Sequence, residues 1–266
     1  MSSAPLLFHK TVLHPHSSEW VVFVHGAGGS SSIWFKQLKE YKKHFNLLFI
    51  DLRGHGRSKP IPLKQLWRQG YTFNDVTHDI IKVLDHLKIN VAHFVGISLG
   101  TILIHKLAEL APSRVKTMVL GGAVTRFDFR SNFLVKVGDL SKHIIPYMWL
   151  YRLFAFILMP QKGQRESRHM FIRDAKKLCQ QEFKRWFKLA SDVNPLMAFY
   201  KKHQSNKPTL YLMGKNDYMF LRPVREMVNS QLQSKLVEID DCGHVCNVEK
   251  PHEFNKQSID FIKQHT

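Results

Sequence analysis

The most constraining feature of this 266-residue chain is a serine between two glycines, in the pentapeptide Gly96-Ile97-Ser98-Leu99-Gly100. Residues 91–95 before it are rich in valine and phenylalanine and predict a buried strand. The apolar residues that follow recur at helical spacing, namely Leu99, Ile102, Leu103, Leu107 and Leu110. Ser98 is therefore predicted to lie where a strand turns directly into a helix. Such a turn forces the serine toward positive φ, and a Cβ at position 96 or 100 would collide as the helix packs on the strand.

The same alternation of strand and helix patterns extends along the chain. A continuous apolar run predicts a buried strand at residues 20–24. Further strands are predicted at residues 46–50, 115–120, 208–213 and 235–239. Helical patterns lie between them, with a serine cap near Ser31, a cap at Asn74 or Asp75, and a last helix opened by Pro251. This alternation predicts an α/β fold in which helices flank a mostly parallel sheet.

Five motifs stand at or just beyond predicted strand ends: His25-Gly26-Ala27-Gly28-Gly29, Asp51-Leu52-Arg53-Gly54-His55-Gly56-Arg57-Ser58, the serine pentapeptide, Gly214-Lys215-Asn216-Asp217 and Gly243-His244. In these motifs and their order, the chain resembles the single-domain α/β-hydrolases that carry a helical cap. The resemblance runs from about Trp20 to the C-terminus. It implies the α/β-hydrolase fold, with a core of residues 1–122 and 196–266 and an inserted cap of residues 123–195.

The resemblance also implies a catalytic triad of Ser98, Asp217 and His244, which follow in the chain order of that fold. A serine hydroxyl is a poor nucleophile at neutral pH, so an imidazole must take its proton and a carboxylate must hold that imidazole. No metal or other cofactor is needed for this chemistry. Three further carboxylates stay open as alternatives to Asp217, namely Asp128, Asp240 and Asp241.

Other roles follow from the same resemblance. The backbone N–H groups of Ala27 and Leu99 are expected to form the oxyanion hole. The segment from Asp51 to Ser58, with Arg53 and His55, is expected to be structural rather than catalytic. Substrate contacts are expected from His25, Trp149 and Phe154.

The cap segment differs in composition from the rest of the chain. Residues 123–195 contain fourteen Lys and Arg against six Asp and Glu, an excess of +8, and show no strand pattern. The apolar stretch 144–159 is interrupted by Pro146 and Arg152 and is short for a membrane span. We expect a lid over Ser98 that lines an apolar acyl pocket, with contact to a membrane surface as the alternative role of this segment.

Charge and cysteine content restrict the partners and the cellular compartment that we expect for the chain. The formal net charge is +18, but the cations are spread along the chain without a nucleic-acid-binding motif, so no nucleic-acid partner is expected. An acidic carrier protein or an anionic membrane surface would suit this charge. Cys242 and Cys246 flank His244, but two further ligands at the spacing of a metal site are absent. Three cysteines and no signal-peptide pattern predict a cytoplasmic protein.

The activity expected from this combination is hydrolysis of a carboxylic ester through an acyl-enzyme, as in a carboxylesterase. Thioester or acyl-carrier-protein ester hydrolysis, acyl transfer, lactone opening and C–C bond hydrolysis use the same triad and stay open. Dehalogenases and epoxide hydrolases of this fold carry Asp at the position of Ser98, which argues against both. A ligand-sensing or protein-binding module with little activity is the alternative outside enzymes.

Overall fold

The structure, a computed structural model, describes residues 5–58, 71–141 and 144–266. Within these residues seven strands form one sheet in the order β1-β3-β2-β4-β5-β6-β7. The strands are β1 (His9–Val12), β2 (Trp20–Val24), β3 (Asn46–Ile50), β4 (Ala92–Ile97), β5 (Val115–Gly121), β6 (Thr209–Gly214) and β7 (Ser234–Ile239). All neighbours pair in parallel except β1, which pairs antiparallel with β3 at the sheet edge. The predicted α/β fold is confirmed, and β1 is an addition that its short, half-exposed sequence did not reveal.

Helices cover both faces of this sheet. In the described part of the chain they are α1 (Phe35–Tyr41), α2 (Phe73–His86), α3 (Leu99–Leu110), α4 (Phe129–Ser141), α5 (Tyr147–Leu158), α6 (Arg165–Ala175), α7 (Gln180–Lys188), α8 (Ala190–Lys202), α9 (Leu221–Val228), α10 (Cys246–Glu249) and α11 (Pro251–Lys263). Alternate residues of β2 enter different apolar clusters. Val22 and Val24 join the cluster that includes α2, α3, α8 and α9, whereas Val21 and Phe23 join the cluster with α1 and α11. This burial on both faces explains the continuous apolar runs of the parallel strands.

One of two predicted helix caps differs from the sequence prediction. Helix α2 is capped by Thr72 rather than by Asn74 or Asp75. The Thr72 side chain accepts a hydrogen bond from the Asp75 N–H, and the Asp75 side chain accepts one from the Thr72 N–H. This reciprocal capping box satisfies two amide donors that a single cap would leave unpaired. At the first helical segment the cap is Ser30, so the predicted serine cap is confirmed.

Five helices, α4 to α8, lie between β5 and β6 in the described residues. The expected boundary at residue 195 falls inside α8, which runs through Pro195 and packs against the core cluster. Pro146 stands at the N-cap of α5, and Arg152 lies within that helix without interrupting it. Over the ranges 5–58, 71–141 and 144–266, no helix combines the length and apolar character needed to cross a bilayer.

Candidate active site

The serine turn has the expected geometry. Ser98 lies between the end of β4 and the start of α3 with φ of 54° and ψ of −120°. A Cβ on Gly100 would lie 2.2 Å from the carbonyl oxygen of Val24, and one on Gly96 would lie 2.6 Å from Ile104 Cδ1. The two glycines therefore let α3 approach the sheet closely while the serine side chain points away from it.

Three side chains from distant parts of the chain meet at this turn. The Ser98 hydroxyl lies 3.0 Å from His244 Nε2, and His244 Nδ1 lies 2.8 Å from Asp217 Oδ2. Asp217 follows β6 and also accepts a hydrogen bond from the Phe220 N–H at 3.2 Å. The arrangement can pass the serine proton to the imidazole and hold the resulting imidazolium against a carboxylate.

The environment of His244 sets its basicity. Burial lowers the pKa of His244, but the charge and hydrogen bond of Asp217 outweigh burial, so the pKa lies above its ordinary value. The Phe220 ring packs against the imidazole with 5.0 Å between ring centroids. This contact limits the rotation of an imidazole that must keep both nitrogens aligned.

A second carboxylate, Glu249, supports the His244 loop and was missed at the sequence level. Its two oxygens accept hydrogen bonds from the amides on either side of the histidine, Gly243 N–H at 2.7 Å and Val245 N–H at 3.2 Å. Its charge also raises the pKa of His244. A glutamate five residues after a loop histidine is the only signal in the sequence.

The loop expected to form the oxyanion hole is held by two buried histidines. His25 Nε2 accepts from the Leu52 N–H at 3.0 Å, and His55 Nε2 accepts from the Gly28 N–H at 2.9 Å. Burial lowers the pKa of His25, and burial lowers that of His55 to about 3, so both stay neutral and can accept these bonds. His25 was expected to contact substrate. Instead it is fully buried, it does not line the cavity beside Ser98, and its role is to fix this loop.

The segment from Asp51 to Ser58 is held by hydrogen bonds within it and to neighbouring residues. The Asp51 carboxylate accepts from the N–H groups of Ser31 and Arg57, both at 2.7 Å. The Arg53 guanidinium pairs with Asp79 at 2.6 Å. These contacts place the segment in a supporting position behind the catalytic loops.

A mostly apolar cavity of about 250 Å³ opens beside Ser98. Ala27 and Leu99, whose amides were expected to bind the oxyanion, both line it, and the Gly26 Cβ position lies 3.1 Å from the Ser98 Cβ. Cap residues supply much of the wall, among them Tyr151, Phe154, Leu158, Met170, Phe171 and Phe187. Phe154 thus lies where a substrate contact was expected. Side chains from the helices between β5 and β6 thus give Ser98 an apolar surround.

Buried polar contacts hold the cap against the core. Asp174 of α6 accepts hydrogen bonds from the Ser30 and Ser32 hydroxyls, both at 2.8 Å. Burial raises the pKa of Asp174, but these hydroxyls and Lys177 outweigh burial and hold the pKa below its ordinary value. The Tyr71 hydroxyl donates to Glu182 of α7 at 2.6 Å.

Comparisons with known proteins identify the family of the chain. The model of the alpha/beta hydrolase family matches residues 21–257. The chain belongs to the alpha/beta hydrolase family. Among curated relatives of this alpha/beta hydrolase is 3-oxoadipate enol-lactonase 1 of Acinetobacter baylyi, 21% identical over 94% of this chain and 90% of the relative. Human epoxide hydrolase 4 is 21% identical over 98% of this chain and 77% of its own length. The solved enol-lactonase of Burkholderia xenovorans superposes with a TM-score of 0.80 at 21% identity, covering 97% of this chain and 96% of that one.

The positions of Asp240 and Trp149 bear on two expectations about the site of this alpha/beta hydrolase. His244 pairs with Asp217, whereas the alternative acid Asp240 lies at the surface and pairs with Lys215 at 2.6 Å. Trp149 does not line the cavity and is 67% exposed, because its side of α5 faces away from the core. The expected substrate contact at Trp149 is therefore wrong.

Proposed function

We propose that this protein is a serine hydrolase that cleaves carboxylic esters through an acyl-enzyme on Ser98. One observation carries the proposal. The Ser98 hydroxyl lies 3.0 Å from an imidazole that is itself 2.8 Å from a buried carboxylate, at the edge of an apolar cavity. This is the arrangement that activates a serine for attack on an acyl carbonyl.

The proposed reaction has two halves. The Ser98 oxygen attacks the ester carbonyl while His244 Nε2 takes its proton, and the Ala27 and Leu99 amides bind the developing oxyanion. Collapse of the tetrahedral intermediate breaks the C–O bond, and the imidazolium returns the proton to the leaving alcohol. A water molecule, deprotonated by His244, then releases the acid and restores the serine.

The cavity wall favours an uncharged, apolar acyl group. Among the described residues that line it, the ionisable side chains are Asp174, His244 and Tyr151, and none is a lysine or arginine. An anionic acyl group would therefore enter without a cationic partner, at a large desolvation cost. Neutral substrates of moderate chain length suit the site best.

Lactone opening is the second candidate because relatives of similar length are named enol-lactonases. A lactone is a cyclic ester, so the same steps apply, but the leaving oxygen stays attached to the acyl group. Epoxide opening is not proposed, despite the similarity to an epoxide hydrolase. The family resemblance implies Asp at the position of Ser98 in enzymes of that activity. The cytoplasmic location stays a prediction.

A substrate panel tests the proposal. Neutral esters of rising acyl length, lactones of matched size and the corresponding thioesters are assayed with the parent, with Ser98→Ala and with the exposed control Ser191→Ala. We expect ester or lactone turnover that falls by about 10⁴ or more in Ser98→Ala and is unchanged in the control. Turnover that survives in a folded Ser98→Ala protein contradicts the proposal. Turnover of thioesters alone would favour the thioesterase alternative.

A further inference from the structure

The cap carries a row of exposed apolar side chains on the outer face of α5. Trp149, Leu153 and Phe156 are 67%, 46% and 58% exposed. They are spaced by four and three residues, so they share one face of the helix. Tyr151, Phe154 and Leu158, at the same spacing on the opposite face, line the cavity beside Ser98. Helix α5 is thus a single layer between the solvent and the proposed acyl site.

Exposed apolar residues are also concentrated in the sequence just before α5. Of the fifteen large apolar residues that are exposed in the described chain, eight lie between positions 129 and 156. Three of them are almost fully solvated, Phe129 at 86%, Leu140 at 79% and Ile144 at 85%. Single exposed apolar side chains are ordinary, but a concentration of this kind marks an interaction surface.

Positive charge lies beside the outer face of α5. Arg152 is exposed on α5 between Trp149 and Leu153, and the Arg168 guanidinium lies 5.1 Å from the centroid of the Phe156 ring. An apolar helix face flanked by cations is complementary to a surface that is anionic outside and apolar beneath.

We propose that the outer face of α5 docks on an anionic lipid bilayer. The exposed face of α5 is a convex helix surface rather than a groove, and its tryptophan and phenylalanine are residue types that partition into the bilayer interface. Helix α5 has only twelve residues, so it lies in the interface rather than crossing the bilayer. If the proposed ester hydrolysis holds, on which this part rests, docking would present an apolar, membrane-dissolved ester to the cavity behind α5.

Vesicle co-sedimentation tests the docking without any assay of catalysis. Ser98→Ala protein is mixed with phosphatidylcholine vesicles with and without about 30% phosphatidylglycerol. We expect binding to the anionic vesicles that weakens with salt and that falls roughly tenfold or more in the triple variant Trp149→Ser, Leu153→Ser, Phe156→Ser. The matched control Leu13→Ser, Leu232→Ser removes two exposed leucines, 69% and 97% exposed, from other surfaces and should bind like the parent.

Two charge-reversal variants distinguish docking through this face from nonspecific attraction of a basic protein to anionic vesicles. Arg152→Glu should weaken anionic vesicle binding more than Lys202→Glu, which reverses an exposed cation at the end of α8. Absence of parent binding, or equal binding by the triple variant and its control, overturns the proposal. Binding of an acidic carrier protein that depends on Trp149, without any vesicle binding, also overturns it in favour of a protein partner.

Activity measurements keep this proposal distinct from the proposed function. The triple variant should retain parent turnover of a short, water-soluble ester, since none of its three residues lines the cavity. Its turnover of a long-chain ester in anionic vesicles should fall with its binding. Vesicle binding by a protein that hydrolyses no ester would support docking and overturn the ester proposal. Ester turnover without vesicle binding would support the ester proposal and overturn docking.

Discussion

Asp217 controls both the orientation and the basicity of His244. Its carboxylate is 2.8 Å from Nδ1, and it outweighs burial in raising the pKa of His244. Only the neutral imidazole can accept the serine proton, so kcat/KM should fall as the pH drops below this pKa. Asp217→Asn removes the charge, which lowers the His244 pKa and moves this acid limb to lower pH.

Turnover should fall by about 10⁴ in Asp217→Asn because the imidazole loses the correct tautomer. The matched change Asp128→Asn alters the alternative acid and should cost little. Steady-state kinetics across pH measure both effects. A larger loss in Asp128→Asn, or an acid limb that does not move in Asp217→Asn, would count against Asp217 as the acid.

Glu249 is a positioning residue for the same imidazole. In Glu249→Gln one of the flanking amides, Gly243 or Val245, loses its acceptor, because the carboxamide has a single acceptor oxygen. We expect kcat to fall about tenfold with little change in KM, together with a lower His244 pKa. The control is Glu253→Gln on α11, whose side chain contacts Gln257. An unchanged kcat and pH profile in Glu249→Gln would show that the clamp is dispensable.

At the scale of elements, the serine turn depends on how closely α3 approaches β2. A methyl group on Gly100 would lie 2.2 Å from the Val24 carbonyl oxygen, which is backbone and has no room to yield. Gly100→Ala should therefore destabilise the protein by about 1–3 kcal/mol and displace Ser98. Gly163→Ala is the matched control because nothing lies within 4 Å of its Cβ position. Thermal unfolding and turnover measure the pair, and equal behaviour would refute the close-packing argument.

The sequence predicted those elements whose pattern is set by burial on both sides. Burial explains the apolar runs of β2 and β3, and close helix packing explains the glycines around Ser98. These elements could therefore be predicted from the sequence. The triad residues were placed through the chain order of a resembling family, and the structure brings them within hydrogen-bonding distance.

Other features depend on partners that are distant in sequence. Trp149 and Phe154 lie on one apolar helix. Only the position of the core decides that Trp149 faces solvent and that Phe154 faces the cavity. A histidine before a glycine loop can either bind a ligand or support the loop. The Leu52 N–H, 27 residues later in the sequence, donates to His25, and this contact favours the supporting role. The start of α2 was misplaced because three polar residues within four positions, Thr72, Asn74 and Asp75, can each cap a helix. The reciprocal hydrogen bonds of Thr72 and Asp75 decide between them.

For the whole molecule, buried neutral histidines tie stability to pH. Burial lowers the pKa of His55 to about 3 and those of His93 and His105 to about 4. The unfolded chain binds these protons first, so stability is full above about pH 6.5 and is lost as the pH falls toward 4. Near pH 5 each of these histidines lowers the free energy of unfolding by up to about 2 kcal/mol. The total free energy of unfolding of a protein is roughly 5–15 kcal/mol. His244 opposes this trend because its pKa is raised.

Denaturant unfolding should therefore show a marked loss of stability between about pH 7.5 and about pH 5. His105→Phe removes one of these buried groups and should make the pH dependence shallower, whatever it does to stability at neutral pH. The exposed His78→Asn serves as its control. A stability that is flat over this range in the parent would contradict neutral burial of the histidines.

The central claim is that Ser98 is a nucleophile activated by His244, and covalent labelling tests it most directly. The parent, Ser98→Ala and His244→Ala are each treated with a fluorophosphonate, and the modified peptide is identified by mass spectrometry. We predict a single adduct on Ser98 in the parent, a strongly slowed reaction in His244→Ala and no adduct in Ser98→Ala. A folded parent that takes up no probe, or an adduct on another residue that persists in Ser98→Ala, would contradict the account.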